Sequence, residues 1–376
     1  MKLNDKNLFW ALGGLLLFMA AMTPMALAGS LVTGDFNNDG FADFAIRTGD
    51  SRSVCVWLSN GDGTFQRPVC YMAGPAPMSI LAGDLNNDGN LDLLALNPER
   101  GPLVNGVAVL LGNGDGTFQT SRLLYPAGAY PRLFSLADLN GDGNLDVAVV
   151  GLGGPCTLLG DGAGSLLEPR CVYLRGFNEA HTLLTPDLAG EGRGAFVGVS
   201  PNNICVWFGT TREPRCTPTR IVSRLAIEND FTEDGIPDVA LVGFPPSGGS
   251  INACVYAGDE FGGFQLTSCT PVRTTVNINL IATADLNGDA HADLVLAGSG
   301  RAGGEVIILL GNGSGGFAAS RLAAPIAPVI EALAVADIDG DGVPDLIIAG
   351  SNRACVFIGQ GDGQFGDPQC FPLRTP

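Results

Sequence analysis

Short apolar runs alternate along this chain with short segments rich in Asp, Asn and Gly, and the alternation is periodic. Residues 79–125 show it best. An apolar run at 79–85 leads into an acidic loop, 92–96 leaves it, 107–111 runs to a glycine-rich turn starting at Asn113, and 118–125 returns. Apolar runs of this length, bounded by turn residues, read as strands. The turn itself recurs as Asn60-Gly-Asp62-Gly-Thr-Phe65, Asn113-Gly-Asp115-Gly-Thr-Phe118, Asn312-Gly-Ser314-Gly-Gly-Phe317 and Gln360-Gly-Asp362-Gly-Gln-Phe365. Glycine there supplies the positive φ of tight hairpins. Strands this short and turns this frequent leave no room for helices, so the pattern predicts an all-β fold.

The acidic loop recurs as a nine-residue pattern with oxygen-bearing side chains at positions 1, 3, 5 and 9. The copies are Asp35, Asn37, Asp39 and Asp43; Asp84, Asn86, Asp88 and Asp92; Asp138, Asn140, Asp142 and Asp146; Asp230, Thr232, Asp234 and Asp238; Asp285, Asn287, Asp289 and Asp293; and Asp337, Asp339, Asp341 and Asp345. A degraded copy starts at Asp187 and lacks ligands at positions 3 and 9, where Ala189 and Ala195 stand. First positions lie 43 to 55 residues apart, the length of a four-stranded propeller blade. The expected architecture is a seven-bladed β-propeller with four antiparallel strands per blade and the acidic loop between the first two. It occupies residues 29–376 as one domain.

Residues 1–28 are expected to be an export signal: Lys2 and Lys6 precede an apolar stretch that ends in Ala26-Leu27-Ala28. No later span is apolar enough for a membrane helix. The mature chain is therefore expected to be secreted, periplasmic or at the cell surface, where thiols oxidise. Its 10 cysteines form five pairs, one per unit: Cys55/Cys70, Cys156/Cys171, Cys205/Cys216, Cys254/Cys269 and Cys355/Cys370. Cross-strand disulfides between the third and fourth strands are the simplest geometry for that spacing. In the two units without cysteine, Ala108/Leu123 and Ile307/Leu322 are expected to pair in their place.

Composition narrows the function. The 38 acidic residues against 20 basic give a formal charge of −18, which argues against nucleic acid or an anionic membrane as partner. Both lysines lie in the export signal, which removes Lys-based catalysis. Half of the acidic residues sit in the six complete loops. Three or four carboxylates within nine residues repel strongly without a cation, and calcium takes six to eight such oxygens. The glycine at position 6 permits the bend around the ion, and Asp at position 9 is expected to bind through both oxygens. About six Ca²⁺ sites are expected, which would reduce the net charge to −6. The Asp187 loop, with Arg193 at position 7, is expected to be empty, and the sixth loop, with Ala290 in place of Gly, weakened or bent differently.

These loops, set between the first two strands of units of about 50 residues, resemble the FG-GAP (VCBS) repeat propeller, whose best-known relative is the integrin α-subunit headpiece. The resemblance covers about residues 30 to 376. It implies calcium on one face of a seven-bladed propeller, and roles in adhesion or in binding proteins or carbohydrates.

No catalytic constellation is evident. His181 and His291 belong to no Ser/His/Asp set, and each reads as a lone surface histidine. Trp57 and Trp207 occupy a position that is large and apolar in every unit (Leu110, Leu158, Tyr256, Leu309 and Phe357 elsewhere), which reads as packing between blades. The expected function is a non-catalytic interaction scaffold for an extracellular protein or glycan. Recognition is assigned to the loops opposite the metal face, including Arg100, Tyr130 and Arg301. The alternative is a propeller lyase or hydrolase acting on extracellular polysaccharide, which a convergent acidic or Arg/Tyr cluster at the axial mouth opposite the metal face would favour.

Overall fold

The computed structural model describes residues 30–47, 52–98, 105–119, 124–174, 176–177, 179–209, 213–301, 303–321, 329–350 and 352–373. The expected export signal lies outside them, as does Arg100.

The described residues form seven four-stranded antiparallel sheets, each built from four consecutive strands in meander order. Blade 1 comprises Leu31–Gly34, Asp43–Arg47, Ser53–Trp57 and Val69–Met72. The first strands of blades 2 to 7 are Ser79–Gly83, Pro131–Ala137, Thr182–Leu184, Val222–Asn229, Asn277–Ala284 and Ala332–Ala336. Each first strand touches the first strands of both neighbouring blades, and the series closes from blade 7 back to blade 1. The first strands therefore surround the axis of a seven-bladed propeller. No helix of the described residues is long and apolar enough to cross a membrane.

The second strands are sandwiched by neighbouring blades on both faces. This explains runs such as Leu93-Leu-Ala-Leu96 and Leu346-Ile-Ile-Ala349, all buried, which show no alternation because neither face meets water. The large position two residues beyond the cystine packs as expected: Leu110, Leu158, Leu309 and Phe357 are fully buried, and Trp57 stacks on Phe44 at 5.0 Å. Blade 1 closes onto blade 7 without exchanging a strand. Leu31, Phe44 and Trp57 form one core with Ile338, Ile347 and Val356. Ala42 N–H donates to Asp337 O (3.0 Å) and Ser59 Oγ to Ile338 O (2.8 Å) across the same seam.

All five expected disulfides are present, each joining directly opposed residues of the third and fourth strands with Cα atoms 4.0–4.1 Å apart. The pairs assigned to the cysteine-free blades require correction. Ala108 faces Leu124, not Leu123, and Ile307 faces Arg321, not Leu322. Leu123 and Leu322 lie outside the described residues. The cause is a bulge. In blade 1 the register runs from Cys55↔Cys70 to Ser59↔Phe65, so the fourth strand carries one extra residue. Blade 6 has none between Ile307↔Arg321 and Gly311↔Phe317, and blade 2 has two between Ala108↔Leu124 and Gly112↔Phe118. Without a disulfide nothing fixes that row, and register follows the local bulge.

Candidate metal centres

The acidic loops share one hydrogen-bonded frame. The first Asp holds the bend: Asp35 Oδ1 accepts from Asp39 N–H (3.1 Å) and Oδ2 from Gly40 N–H (2.9 Å), and Asp84, Asp138, Asp230 and Asp285 repeat the pair. In the seventh loop Asp337 accepts from Gly340 and Gly342. The fifth carboxylate accepts from the N–H at position 7, as in Asp88 with Asn90 (2.8 Å) and Asp341 with Val343 (2.8 Å).

The ninth Asp is different. It is fully buried in all six complete loops. One oxygen accepts from the N–H at position 2, and the other reaches the start of the turn between the third and fourth strands. Asp43 takes Phe36 (2.9 Å) and Ser59 (2.7 Å), Asp92 takes Leu85 and Gly112 (2.8 Å each), and Asp345 takes Ile338 and Gly359 (2.8 Å each). This residue therefore braces the loop against its own hairpin. Each oxygen keeps a second lone pair, so both remain available to a cation. Burial pushes the Asp43 carboxyl up to about 7 and those of Asp92, Asp293 and Asp345 to about 6, with the neighbouring loop carboxylates adding to the effect. Asp146 and Asp238 are raised for the same first reason. A divalent cation would reverse that penalty.

Position 3 distinguishes the loops. Asn37, Asn86, Asn140 and Asn287 each donate through Nδ2 to the carboxylate at position 5, at 2.8–2.9 Å. Thr232 instead turns its hydroxyl to Asp238 Oδ2 (2.9 Å), which also accepts two backbone N–H groups. Its oxygen braces the loop. In the seventh loop Asp339 has no proton to donate. One carboxylate oxygen each from Asp337, Asp339 and Asp345 lies within 4.8 Å of the others. Burial, then repulsion from Asp341 and Asp337, pushes the Asp339 carboxyl up. A hard cation fits this donor set: three converging carboxylates with unmet charge.

The degraded loop keeps its bend, since Asp187 accepts from Glu191 (3.1 Å) and Gly192 (2.7 Å). The missing ninth carboxylate is replaced by backbone, with Ala195 N–H donating to Pro186 O (2.8 Å). Arg193 pairs with Glu191 at 3.0 Å, which places a built-in cation in the loop. The sixth loop is bent like the rest: Ala290 sits at φ 66 and donates to Asp285 Oδ2 (2.8 Å), as the glycines do. The expectation of a different bend there is corrected; the loop tolerates a strained alanine instead.

Three features escaped the sequence. Position 4 of one loop meets position 7 of the next: Asn38 Nδ2 donates to Asn90 Oδ1 and Asn87 Nδ2 to Asn144 Oδ1, both at 2.8 Å. At the blade 5–6 seam the same contact is Glu233 with His291, whose imidazole pKa this carboxylate raises. His291 is therefore paired, not lone. The available signal was the left-handed backbone at position 4, occupied by Asn or Gly in every loop but one. His181 is likewise engaged, through Nε2 with Ser223 Oγ (2.8 Å) and Nδ1 with Thr182 Oγ1 (3.0 Å), and burial lowers its pKa. Second, Glu228, on the first strand of blade 5, has a buried Oε2 with no hydrogen-bond partner, and burial pushes its carboxyl up to about 8. Third, the blade 7–1 seam holds a cavity of about 570 Å³ lined by Trp57, Phe65, Phe371, Arg67 and Gln369.

The profile of the FG-GAP-like repeat matches residues 22–95, 99–149 and 285–348, together half of the sequence. The chain belongs to the FG-GAP-like repeat family. Among solved structures, this FG-GAP chain is similar to BBS1N, crystallised in complex with ARL6DN (12% identity, TM-score 0.56, covering 88% of this chain and 90% of that one). It is also similar to a protein from Lactobacillus plantarum (12% identity, TM-score 0.54, covering 92% and 94%). An Agrocybe aegerita lectin recognising non-reducing terminal N-acetylglucosamine matches at 20% identity and TM-score 0.43, over 92% of this chain and 80% of that one. At these identities the likeness is one of fold. No curated protein matches the chain.

Proposed function

We propose that this FG-GAP propeller is an exported, calcium-binding, non-catalytic scaffold for adhesion or for binding an extracellular protein or glycan. The observation that carries the reading is the seventh loop, where Asp337, Asp339 and Asp345 converge in a frame shared by five other complete loops. Five disulfides suit an oxidising compartment. The Asp187 loop, supplied with Arg193, is taken to hold no ion.

Calcium would be held by side-chain oxygens at positions 1, 3, 5 and 9, with Thr232 contributing least in the fifth loop. Its role is structural: it neutralises carboxylates that otherwise repel beside the seams between blades. The test combines elemental analysis and melting with and without chelator, plus a screen for turnover of acidic polysaccharides. Bound calcium, loss of heat resistance on chelation and no turnover are expected. Chelation without effect would remove the metal reading, and release of reducing ends would replace the scaffold with an enzyme.

A further inference from the structure

The two ends of the propeller are oppositely charged. Acidic loops and glycine turns occupy one end; the connections between blades and the loops between second and third strands occupy the other. Every aspartate among the described residues lies at the loop end. At the connection end the described acids are Glu179, Glu305 and Glu331, whereas Arg132, Arg220, Arg224, Arg273, Arg301 and Arg353 all stand there. The net charge of −18 is thus the sum of a strongly acidic end and a basic one.

The basic end also has shaped backbone. The first strands of blades 3, 5 and 6 each carry a β-bulge at the same place, next to the axis. The inserted residues are Arg132, Arg224 and Asn279, all exposed. Opposite each bulge stands a glycine, Gly151, Gly243 or Gly298, where a Cβ would run into the backbone carbonyl of the bulged strand or the connection before it. Bulges re-aim side chains and occur next to binding sites. Arg224 is further positioned by the Phe244 ring, 5.0 Å from its guanidinium carbon. Two residues before Arg132, Tyr130 is held at φ 48 with 45% of its surface exposed. That conformation is strained for a bulky aromatic residue, and such strain concentrates at binding sites.

We propose that the connection end binds an acidic polysaccharide, whose carboxylate or sulfate groups are gripped by Arg132, Arg224 and Asn279 on the bulged strands. Guanidinium forks match planar or tetrahedral oxyanions, and Tyr130 offers a ring face to the CH side of a sugar. Two guanidinium sites and an amide donor, set at matching bulges around the axis, suit a polymer with recurring anions. The assignment rests on the scaffold reading and deepens it by naming the ligand class and the face.

The test measures binding of the full chain, kept in calcium, to immobilised polygalacturonate and heparin over a salt series, with dextran, phosphatidylglycerol vesicles and duplex DNA as comparisons. Binding to at least one acidic polysaccharide and not to dextran is expected, weakening as salt rises. Arg132→Glu combined with Arg224→Glu should lose at least tenfold in affinity, whereas Arg67→Glu at the loop end should lose little. A conservative Arg132→Lys, Arg224→Lys pair, which keeps the charge, guards against misfolding and should retain part of the binding. No polysaccharide binding at low salt, equal binding by the glutamate pair, or preference for vesicles or DNA would overturn the proposal. Calcium content and melting, read separately, report on the metal reading whatever the polysaccharide result.

Discussion

Stripping the protein of bound cations and raising the pH from about 5 to about 8 is expected to destabilise it. Four of the buried ninth carboxyls, those of Asp43, Asp92, Asp293 and Asp345, titrate near 6 to 7 when no cation neutralises them, whereas in the unfolded chain they are mostly ionised at pH 5. Between these values the native state holds protons that the unfolded state has lost, so stability falls as pH rises. Over this range each carboxyl near 6 contributes about 1.4 kcal/mol and one near 7 about 2.7 kcal/mol, so Asp43, Asp92, Asp293 and Asp345 together contribute about 7 kcal/mol at face value. Solvent screening by the exposed loop around each roughly halves that, to about 3 kcal/mol. A melting temperature lower by roughly 4 °C at the higher pH follows for a domain of this size. The assay is differential scanning calorimetry in chelator and in excess calcium at both pH values. Calcium should abolish or reverse the trend, because the ion competes with the proton for the same oxygens. A chelated protein as stable at pH 8 as at pH 5 would refute the account of the ninth aspartates.

Other expectations are independent of that one. Ala290→Gly should stabilise by about 0.5–1 kcal/mol, because the left-handed conformation at φ 66 costs an alanine more than a glycine; Gly89→Ala, at φ 85 with open space around it, should destabilise by about 1 kcal/mol in chemical denaturation. Glu228→Gln should stabilise already at pH 6, by about 2 kcal/mol, and by about 2.7 kcal/mol more at pH 9, since the unfolded carboxyl is ionised at both values whereas the native one, without a partner, keeps its proton until near 8. Asp345→Ala should lower the calcium stoichiometry by one and destabilise by about 2–4 kcal/mol even in chelator, because two buried backbone N–H groups lose their acceptor. Replacing both Cys156 and Cys171 by Ala should cost about 3 kcal/mol, the loop-closure value for a 15-residue separation.

The blade count, the four-strand meander and all five disulfides were legible because each is written in local sequence that repeats. The Asp-Asn-Asp-Gly loop states its own turn geometry, and a cysteine pair states its own register. What was not legible depends on neighbours. Leu123 and Leu322 were misassigned because a bulge shifts register without leaving a residue-type signature. The brace from Asp43 to Ser59 spans 16 residues, and Glu233 reaches His291 over 58; neither separation is visible as a motif. The net charge misled in its own way. A single sum of −18 conceals that every described aspartate lies at one end while most described arginines lie at the other, a sorting that appears only when each residue is assigned to a strand terminus.

The seam between the last blade and the first has a mechanical implication. Since blades 1 and 7 each use their own contiguous strands, the disc is fastened there, among the described residues, by side-chain packing and a few hydrogen bonds, with no backbone clasp of interleaved strands. Pulling on the two termini should part that joint before any sheet unravels, giving an open crescent whose blades stay intact. Conversely, a circularly permuted chain cut between any other two blades should assemble the same disc, the old joint then secured by a covalent linker.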